Sequence, residues 1–311
     1  MENNKFNSKN NIKTENNEYG NNVVLNPDFV TGLTDAEGCF SVRVWKDKRI
    51  KFKRSVQLNF TIMMLENETE LLSMVKSFFN CSTLWHYHKD GTVWFKVQDI
   101  SSIKNKIIPS FFKYPLRGTK YLDFISFKEA FHIIERKEHL IEEGMNKLYN
   151  LSKGMNTNRK FSADVYYSPN HTKENNTDYM PLNGHYINGF IAGDGCLVLH
   201  SNRLTMHLSI SQHKNNRLLM ESVANYFESR SKVCVGRPNN LQINLSGVQL
   251  WEKAIFKHFD EYPLYGNKKL KLDKLFLIRE LKRDNKHLMQ IGKIRKWRLD
   301  IKLRIIEIWK S

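Results

Sequence analysis

The sequence predicts an α+β fold in which two similar halves are related by a pseudo-twofold axis, each with an αββαββα order and an antiparallel sheet. Three observations support this prediction. A nine-residue pattern occurs at 30–38 and again at 187–195, in the order aliphatic, small, Gly, apolar, two variable residues, small, acidic, Gly. Further matches follow each copy at a constant spacing. Segments that alternate polar and apolar residues also follow each copy, and these are typical of half-buried strands.

The repeat continues well beyond the motif. Asn26 and Asn183 lie 157 residues apart, as do Glu37 and Asp194. Farther along, the spacing becomes 148 residues, and the nine-residue difference predicts a longer first hairpin in the first half. Matches in register over such a length indicate a duplication. They include Tyr114-Pro115-Leu116 with Tyr262-Pro263-Leu264, and Gly118 and Lys120 with Gly266 and Lys268.

Each half is predicted to begin with the motif as a helix. Asn26 and Asn183 are suitable N-cap residues, and Pro27 suits a first helical turn. Gly38 and Gly195 are expected to end these helices in the manner of a left-handed glycine cap. Periodicity then predicts strands 39–45 and 55–63, helix 68–79, strands 82–88 and 92–97, and helices 100–113, 119–135 and 139–153. In the second half it predicts strands 196–200 and 203–211, helix 215–229, strands 232–235 and 241–245, and helices 247–260, 267–284 and 287–309.

Composition divides the chain into four segments. Residues 1–25 carry nine Asn and are predicted to be a disordered leader. Residues 26–153 and 183–311 are the predicted halves, and the polar segment 154–182 is the predicted linker. We expect no membrane partner, because apolar runs approaching roughly 18 residues are lacking. We also expect no secretory signal, because the Asn-rich amino terminus has no apolar segment of the kind that such a signal contains.

The net charge indicates a polyanionic partner. The 311 residues carry a formal charge of +17, and 41% of them are hydrophobic, which suits a packed basic protein. A basic excess of this size is typical of proteins that bind nucleic acid. The four cysteines are too far apart in sequence to indicate a zinc or redox motif, and a reducing compartment is expected.

The motif places small residues on one face of each predicted helix. Gly32 and Ala36 are four residues apart, as are Gly189 and Gly193. Residues at that spacing share a helix face, and small side chains there allow two backbones to approach closely. We therefore expect the two motif helices to pack against each other across the pseudo-twofold axis.

The motif also places an acid at the carboxyl end of each predicted helix. Glu37 and Asp194 oppose the helix dipole there, at a cost of about 0.3–1 kcal/mol each. Two such carboxylates near one axis would also repel each other. A divalent cation between them would relieve both effects, and oxygen ligands favour Mg²⁺ completed by water and phosphate oxygens.

These residues resemble the LAGLIDADG homing endonucleases, specifically the single-chain form with two motifs. The resemblance rests on both motif copies, their spacing of 157 residues, the strand segments that follow them, and the repeated Tyr-Pro-Leu-x-Gly-x-Lys. It implies an intron-encoded monomer that makes metal-dependent double-strand breaks in a long DNA target. It also implies two saddle-shaped antiparallel sheets in the major groove and motif helices at the domain interface. Together with the Asn- and Lys-rich composition, it suggests a fungal mitochondrial intron.

The resemblance also implies roles for particular residues. Glu37 and Asp194 correspond to the metal ligands, with Mg²⁺ expected in two or more sites and Mn²⁺ or Ca²⁺ substituting in binding. Lys120 and Lys268 correspond to the basic residues that stabilise the phosphate or position water. Gln212 corresponds to the polar residue at the end of the second strand.

Two positions break the symmetry of the two halves. Met64 occupies the first-half position that matches Gln212, so a symmetric polar ring around the metals is not expected. Asp35 is acidic, but its counterpart is Ala192. We therefore interpret Asp35 as structural.

Polar side chains on one face of the predicted hairpins are candidates for DNA contact, because successive strand residues point to opposite faces. Arg, Gln and Asn can bond to base edges, whereas Lys mainly meets phosphates. The predicted set is Arg43, Trp45, Lys51, Lys53, Gln57, Asn59, His86, His88 and Lys96 in the first half, and Ser201, Arg203, Thr205, His207, Arg237, Gln242 and Asn244 in the second.

Two other functions share this fold and charge. One is a maturase that binds its own intron RNA, with cleavage lost or retained. The other is a DNA-binding regulator that does not cleave. Glu37 and Asp194 favour the endonuclease, because binding alone does not require two paired acids.

Overall fold

The computed structural model describes residues 24–49, 54–81, 83–87, 89–159, 181–200, 204–284 and 294–311. Within these ranges the chain forms two four-stranded antiparallel sheets, one in each half. The predicted leader falls almost entirely outside the described residues, as do residues 160–180 of the predicted linker. The duplicated α+β architecture is confirmed.

The first half follows the predicted order. It consists of α1 (Pro27–Glu37), β1 (Gly38–Lys46), β2 (Arg54–Leu65), α2 (Thr69–Phe79), β3 (Thr83–Tyr87), β4 (Thr92–Val97), α3 (Ile108–Lys113), α4 (Lys120–Glu135) and α5 (Glu142–Lys153). A π-helical turn, Ile103–Ile107, leads into α3. The sheet order is β1-β2-β4-β3, so β1 and β3 are the edge strands.

The second half repeats this arrangement. It consists of α6 (Gly184–Asp194), β5 (Gly195–His200), β6 (Thr205–His213), α7 (Arg217–Tyr226), β7 (Cys234–Val235), β8 (Asn240–Ser246), α8 (Phe256–Glu261), α9 (Asn267–Asp284) and α10 (Ile294–Lys310). Its sheet order, β5-β6-β8-β7, matches that of the first half. A π-helical turn again precedes the short helix, at Trp251–Ile255.

The first hairpin is longer in the first half, as the change in repeat spacing predicts. Strands β1 and β2 have 9 and 12 residues, whereas β5 and β6 have 6 and 9. The start of the predicted linker is ordered on the first half, because Asn156 bonds to Asp123 and to the Phe40 carbonyl oxygen at the edge of β1.

Each motif helix begins and ends at the predicted residues, but the conformation of its final glycine differs from the prediction. The side chains of Asn26 and Asn183 accept hydrogen bonds from the backbone of the first turn. Gly38 and Gly195 have φ of −74°, which is extended backbone, so the prediction of left-handed glycine caps is wrong. Glycine is needed for space instead, because a Cβ at Gly38 would lie 2.6 Å from the Thr34 carbonyl oxygen. The helix therefore passes directly into the first strand.

Helices α1 and α6 pack backbone to backbone between the two halves, as expected. A Cβ added at Gly32 would lie 2.0 Å from the Tyr186 carbonyl oxygen, and one at Gly189 would lie 1.9 Å from the Phe29 carbonyl oxygen. A Cβ at Gly193 would lie 2.3 Å from the Ala36 Cβ. The small residues of the motif therefore permit the contact that joins the halves.

One face of each sheet packs on helices and forms the core. In the first half, Phe40 and Phe60 stack at 4.8 Å, and Phe111 contacts both rings edge-on. Alternate residues of the same strands point to the opposite face of the sheet. All four cysteines are free, and none of the described helices is long and apolar enough to cross a membrane.

A buried histidine ties α8 to the motif helix of the second half. Asn188 donates from Nδ2 to the Tyr262 carbonyl oxygen (2.7 Å), so its Oδ1 can only accept, and His258 Nε2 donates to it (2.7 Å). His258 Nδ1 accepts from the Tyr226 hydroxyl (3.0 Å). Burial, with His185 nearby, lowers the pKa of His258 from 6.5 to about 3. The folded protein therefore holds this imidazole neutral.

We expect this histidine to make the fold sensitive to acid. Because its pKa is lower in the folded state, the stability it contributes is complete above pH 6.5 and is lost as the pH falls toward 3. Between pH 6.5 and 4.5 the loss should be about 2 kcal/mol. Urea denaturation of wild type and His258→Gln across this range measures it, and the variant should show that much less pH dependence. Equal pH dependence of the two proteins would contradict the expectation.

Candidate active site and nucleic-acid interface

The two motif acids lie at adjoining ends of α1 and α6. A Cβ at Gly193 would lie 3.0 Å from the Glu37 Cγ, which places Glu37 beside the last turn of the opposite motif helix. Burial raises the pKa of Asp194 from 3.8 to about 6, and the negative charge of Glu37 contributes to the rise. The structure therefore brings together the two acids that the motif marks.

Each motif helix ends against a lysine of its own half. Lys120 Nζ donates to the carbonyl oxygens of Thr34 (3.3 Å) and Ala36 (2.5 Å). Lys268 Nζ donates to those of Ile191 (3.1 Å), Ala192 (2.7 Å) and Gly193. The Thr34 and Ile191 carbonyl oxygens also accept from the backbone N–H groups of Gly38 and Gly195. A cation at the carboxyl end of a helix interacts favourably with the negative end of the helix dipole, whereas the adjacent acid interacts unfavourably with it.

The charges of the two halves interact across the interface. Burial lowers the pKa of Lys120, while the negative charges of Asp35, Asp194 and Glu37 act in the opposite direction. Burial also lowers the pKa of Lys268, with Glu37 as the first of the acids that oppose it. Each lysine thus lies within electrostatic reach of both motif acids.

Gln212 is in contact with one of the acids. Its Nε2 donates to Asp194 Oδ2 (2.5 Å), and its Oε1 accepts from Asn216 Nδ2 (2.8 Å). At the matching position of the first half, Met64 is buried in the core. The polar contact to the acid therefore exists in the second half only, among the described residues.

Asp35 is buried and fully engaged in structural hydrogen bonds. Its Oδ2 accepts from the Arg117 backbone N–H (2.6 Å) and the Tyr186 hydroxyl (2.7 Å), and its Oδ1 accepts from the Gly118 N–H (3.2 Å). Burial raises its pKa, and these donors act against the rise. The sequence interpretation of Asp35 as structural agrees with this geometry, whereas sequence analysis did not identify Tyr186, which reaches it from the opposite motif helix.

The donor set suits a hard divalent cation. No cluster of three or more His, Cys, Asp or Glu that could enclose a metal occurs in the described ranges. Glu37 and Asp194 alone offer carboxylate oxygens at the helix ends. Mg²⁺ is commonly held by one or two carboxylates together with substrate phosphates and water, so this pair fits it. A cation here would also stabilise the ionised form of Asp194.

Strand register places most of the predicted first-half DNA contacts on one face. Arg43 pairs with Gln57, and Lys96 pairs with Thr61 on the same side. Trp45 lies on this face as well and is 45% exposed. We call this the open face of the first sheet, because the opposite face carries the core.

Two predicted contacts need correction. His86 pairs with the buried Val93, so it lies on the helix side of the sheet and is excluded from the open face. Asn59 lies on the open face, but it is only 4% exposed and accepts a hydrogen bond from Gln98, so it is not presented to a ligand. Strand alternation could have excluded His86, whereas the burial of Asn59 depends on its neighbours. Lys51, Lys53 and His88 lie outside the described residues.

The second sheet presents a more polar open face. Thr205 and His207 lie on this face of β6, and Gln242 and Asn244 lie on the same face of β8, where they pair with Ser211 and Ser209. Gln242 Nε2 donates to Asn244 Oδ1 (3.1 Å), which holds the two amides side by side. Arg237 is exposed in the turn between β7 and β8. Ser201 and Arg203 lie outside the described residues.

The first open face has an aromatic part that was not predicted from the sequence. Trp85 and Tyr87 are 49% and 40% exposed, and Trp85 pairs with Trp94. Met63, also exposed, pairs with Trp94 from the other side. Alternation along 83–87 was the signal that could have identified them, because large apolar residues there point away from the core.

Comparison with known proteins supports one family. The protein-family model described as LAGLIDADG endonuclease matches residues 30–131 and 187–278 of this sequence. "Probable intron-encoded endonuclease 2" of Neurospora crassa is 29% identical over 269 residues, which cover 78% of this chain and 57% of the relative. The chain spans about half the length of the curated relatives it matches.

Solved structures share the fold over nearly the whole chain. The I-LtrWI LAGLIDADG homing endonuclease bound to target DNA is 29% identical, with a TM-score of 0.75 and coverage of 91% of this chain and 96% of that one. I-SmaMI bound to uncleaved DNA in the presence of calcium ions is 24% identical, with a TM-score of 0.76 and coverage of 92% and 98%. Since the family model matches both halves and more than half of the 311 residues, this chain belongs to the LAGLIDADG endonuclease family.

Proposed function

We propose that the protein is a site-specific homing endonuclease that hydrolyses one phosphodiester bond in each strand of a long DNA target. The observation that carries this proposal is the pairing of Glu37 and Asp194 at the adjoining ends of α1 and α6. A protein that only binds nucleic acid would not require two acids held together against electrostatic repulsion and burial.

Glu37 and Asp194 would hold the metal, and Gln212 would orient the Asp194 carboxylate through its hydrogen bond. A divalent cation bound there lowers the pKa of water and stabilises charge on the attacking and leaving oxygens. Lys120 and Lys268 keep the helix ends in place and direct positive charge toward the phosphates. The metal is Mg²⁺ in this proposal, and Mn²⁺ or Ca²⁺ can replace it in binding.

The partner in this proposal is duplex DNA, held by the two open faces. The net charge of +17 supplies the attraction to phosphates, and Lys96 is one contributor on the first sheet. Arg43, Gln57, Gln242 and Asn244 carry groups that can bond to base edges in the major groove. The DNA target bound by I-LtrWI, whose fold this chain shares, supports the assignment.

The setting in this proposal is a mitochondrial intron, and the protein acts as a monomer. The relative from Neurospora crassa is called intron-encoded, and the Asn- and Lys-rich composition suits an AT-rich genome. The duplicated halves supply two acids and two lysines within one chain, so a second subunit is not required.

The test is a cleavage selection with purified protein. A library of duplexes with randomised targets is incubated with Mg²⁺, and the cut ends of both strands are sequenced. We expect one long target sequence, cut in both strands, with no cutting in EDTA. If neither Mg²⁺ nor Mn²⁺ supports cutting while the protein binds its own intron RNA, the maturase function replaces this proposal.

A further inference from the structure

The amino-terminal ends of α4 and α9 each contact a side chain of the opposite half. The Thr119 backbone N–H donates to Asn216 Oδ1 (2.8 Å), and the Asn267 N–H donates to Glu68 Oε2 (3.0 Å). Glu68 and Asn216 are 148 residues apart, which is the spacing of the repeat itself. The same contact therefore occurs twice, with the roles of the two halves exchanged.

The glycine of the repeated Gly-x-Lys makes room for these contacts. A Cβ at Gly118 would lie 3.2 Å from Asn216 Oδ1, and one at Gly266 would lie 2.3 Å from Glu68 Oε2. Gly266 also has φ of +75°, a backbone conformation that residues with a side chain rarely adopt. Although both are polar, Glu68 and Asn216 are only 8% and 7% exposed. These two buried polar side chains occupy matched positions, and a glycine leaves space beside each. This indicates that the contacts serve to position the backbone segments that they reach.

The contacted backbone groups lie next to the lysines. Thr119 directly precedes Lys120, and Asn267 directly precedes Lys268. These helix ends have N–H groups without intrahelical partners, and a side chain that accepts from one of them restricts the whole first turn. The location of each lysine Nζ at the end of its motif helix therefore depends on a residue of the other half.

On one side the contact continues to a motif acid. Asn216 Nδ2 donates to Gln212 Oε1 (2.8 Å), and Gln212 Nε2 donates to Asp194 Oδ2 (2.5 Å). An unbroken series of hydrogen bonds thus joins Asp194 of the second half to the turn that carries Lys120 of the first. On the other side Met64 replaces Gln212, and a thioether cannot make that connection between Glu68 and Glu37.

We infer that Asn216 and Glu68 are positioning residues that assemble each cleavage centre from both halves, an inference that rests on the endonuclease function proposed above. Asn216 aligns the lysine of the centre that this series of hydrogen bonds defines, with Asp194, Gln212 and Lys120. Glu68 aligns the lysine of the other centre, with Glu37 and Lys268. Among the described residues only the Asn216 contact continues, through Gln212, to a motif acid, so the first centre is connected at its acid and its lysine and the second at its lysine alone.

The first experiment needs neither DNA nor metal. Hydrogen exchange of the Thr119 and Asn267 amides is measured in the full chain for wild type and for Asn216→Ala, Asn216→Asp, Glu68→Ala and Glu68→Gln. Asn216→Ala should speed exchange at Thr119 and leave Asn267 unchanged, and Glu68→Ala should do the reverse. Asn216→Asp and Glu68→Gln keep an acceptor oxygen, so both should retain protection. Unchanged exchange at the contacted amide in the alanine variants would overturn the inference.

The second experiment resolves the two strands. A selected target labelled on both strands is cut with Mg²⁺, and the rate for each strand is compared with DNA affinity in Ca²⁺. Asn216→Ala and Asn216→Asp should slow one strand by about 10–100-fold and leave affinity unchanged, because both lose the bond to Gln212. Glu68→Ala should slow the opposite strand, and Glu68→Gln should restore it. Equal slowing of both strands by either alanine variant would indicate general loosening and contradict the inference.

These two experiments separate the inference from the function on which it rests. If wild type cuts no DNA, the proposed function fails, whereas the exchange measurements still decide whether the two residues position the lysine turns. If wild type cuts both strands but the variants change neither strand selectively, the inference alone fails.

Discussion

Asp194→Asn is expected to abolish double-strand cleavage while leaving DNA affinity within about tenfold, because in the proposed function the open faces, and not the acid, carry most contacts to DNA. The amide cannot supply the carboxylate charge that a divalent cation requires. Loss of metal assistance amounts to several kcal/mol, so we expect cleavage to slow by at least about 100-fold. Glu37→Gln should behave in the same way.

The measurement is cleavage of a selected target in Mg²⁺, with affinity determined in parallel in Ca²⁺. His86→Gln is a suitable control, because His86 lies on the helix side of the first sheet. That variant should cut at the wild-type rate. Full cleavage by Asp194→Asn would remove this residue from the proposed metal site.

The same substitution should stabilise the protein without metal. The pKa of Asp194 is raised to about 6 in the folded state, from 3.8. Asp194 therefore binds its proton more tightly in the folded state than in the unfolded state, and wild type loses stability as the pH rises from 3.8 through 6. At pH 7 in EDTA, the free energy of unfolding of Asp194→Asn should be about 3 kcal/mol higher than that of wild type. Urea denaturation at pH 4 and pH 7 measures this, and an equal difference at both would contradict it.

Gly189→Ala is expected to destabilise the contact between the two halves by about 3 kcal/mol or more. The added Cβ would lie 1.9 Å from the Phe29 carbonyl oxygen and 2.8 Å from the Leu33 backbone nitrogen. Both neighbours are helical backbone atoms, which cannot move without separating α1 from α6. Separation would also move Glu37 away from Asp194, so cleavage should fall together with stability.

Gly154→Ala is the matched control for this prediction. A Cβ there would lie 3.5 Å from the Asn150 carbonyl oxygen, which is ordinary contact, and its φ of −94° suits alanine. Chemical denaturation should show this variant within about 0.5 kcal/mol of wild type, as is usual away from tightly packed sites. If Gly189→Ala were equally stable, the close approach of the two motif helices would be incorrect.

Local patterns along the chain were sufficient to predict the elements of the fold. Asn26 and Asn183 act as N-caps in the structure because capping needs only the residue and its own first turn. The longer hairpin of β1 and β2 follows from the change of repeat spacing. Polar and apolar alternation located the strands, since each strand has one face on the core.

Predictions that depended on the tertiary environment of a residue were less accurate. Gly38 and Gly195 end the motif helices as predicted, but the left-handed conformation expected of them was wrong, because clearance for the preceding turn, and not a left-handed φ, requires glycine there. Asn59 has the chemistry of a base contact and lies on the correct face, yet neighbouring side chains bury it. His86 was assigned by residue type where strand register decides the face.

The sequence by itself determined the duplication, the two motif helices, their small-residue faces and the four groups Glu37, Asp194, Lys120 and Lys268, since each repeats at a fixed spacing. Only the tertiary structure decided how the halves support one another. Tyr186 reaches Asp35, Asn216 reaches Thr119 and Glu68 reaches Asn267 across 151, 97 and 199 residues of chain. The repeat spacing alone could not show these contacts, because they form only when the motif helices pack and bring the two halves together.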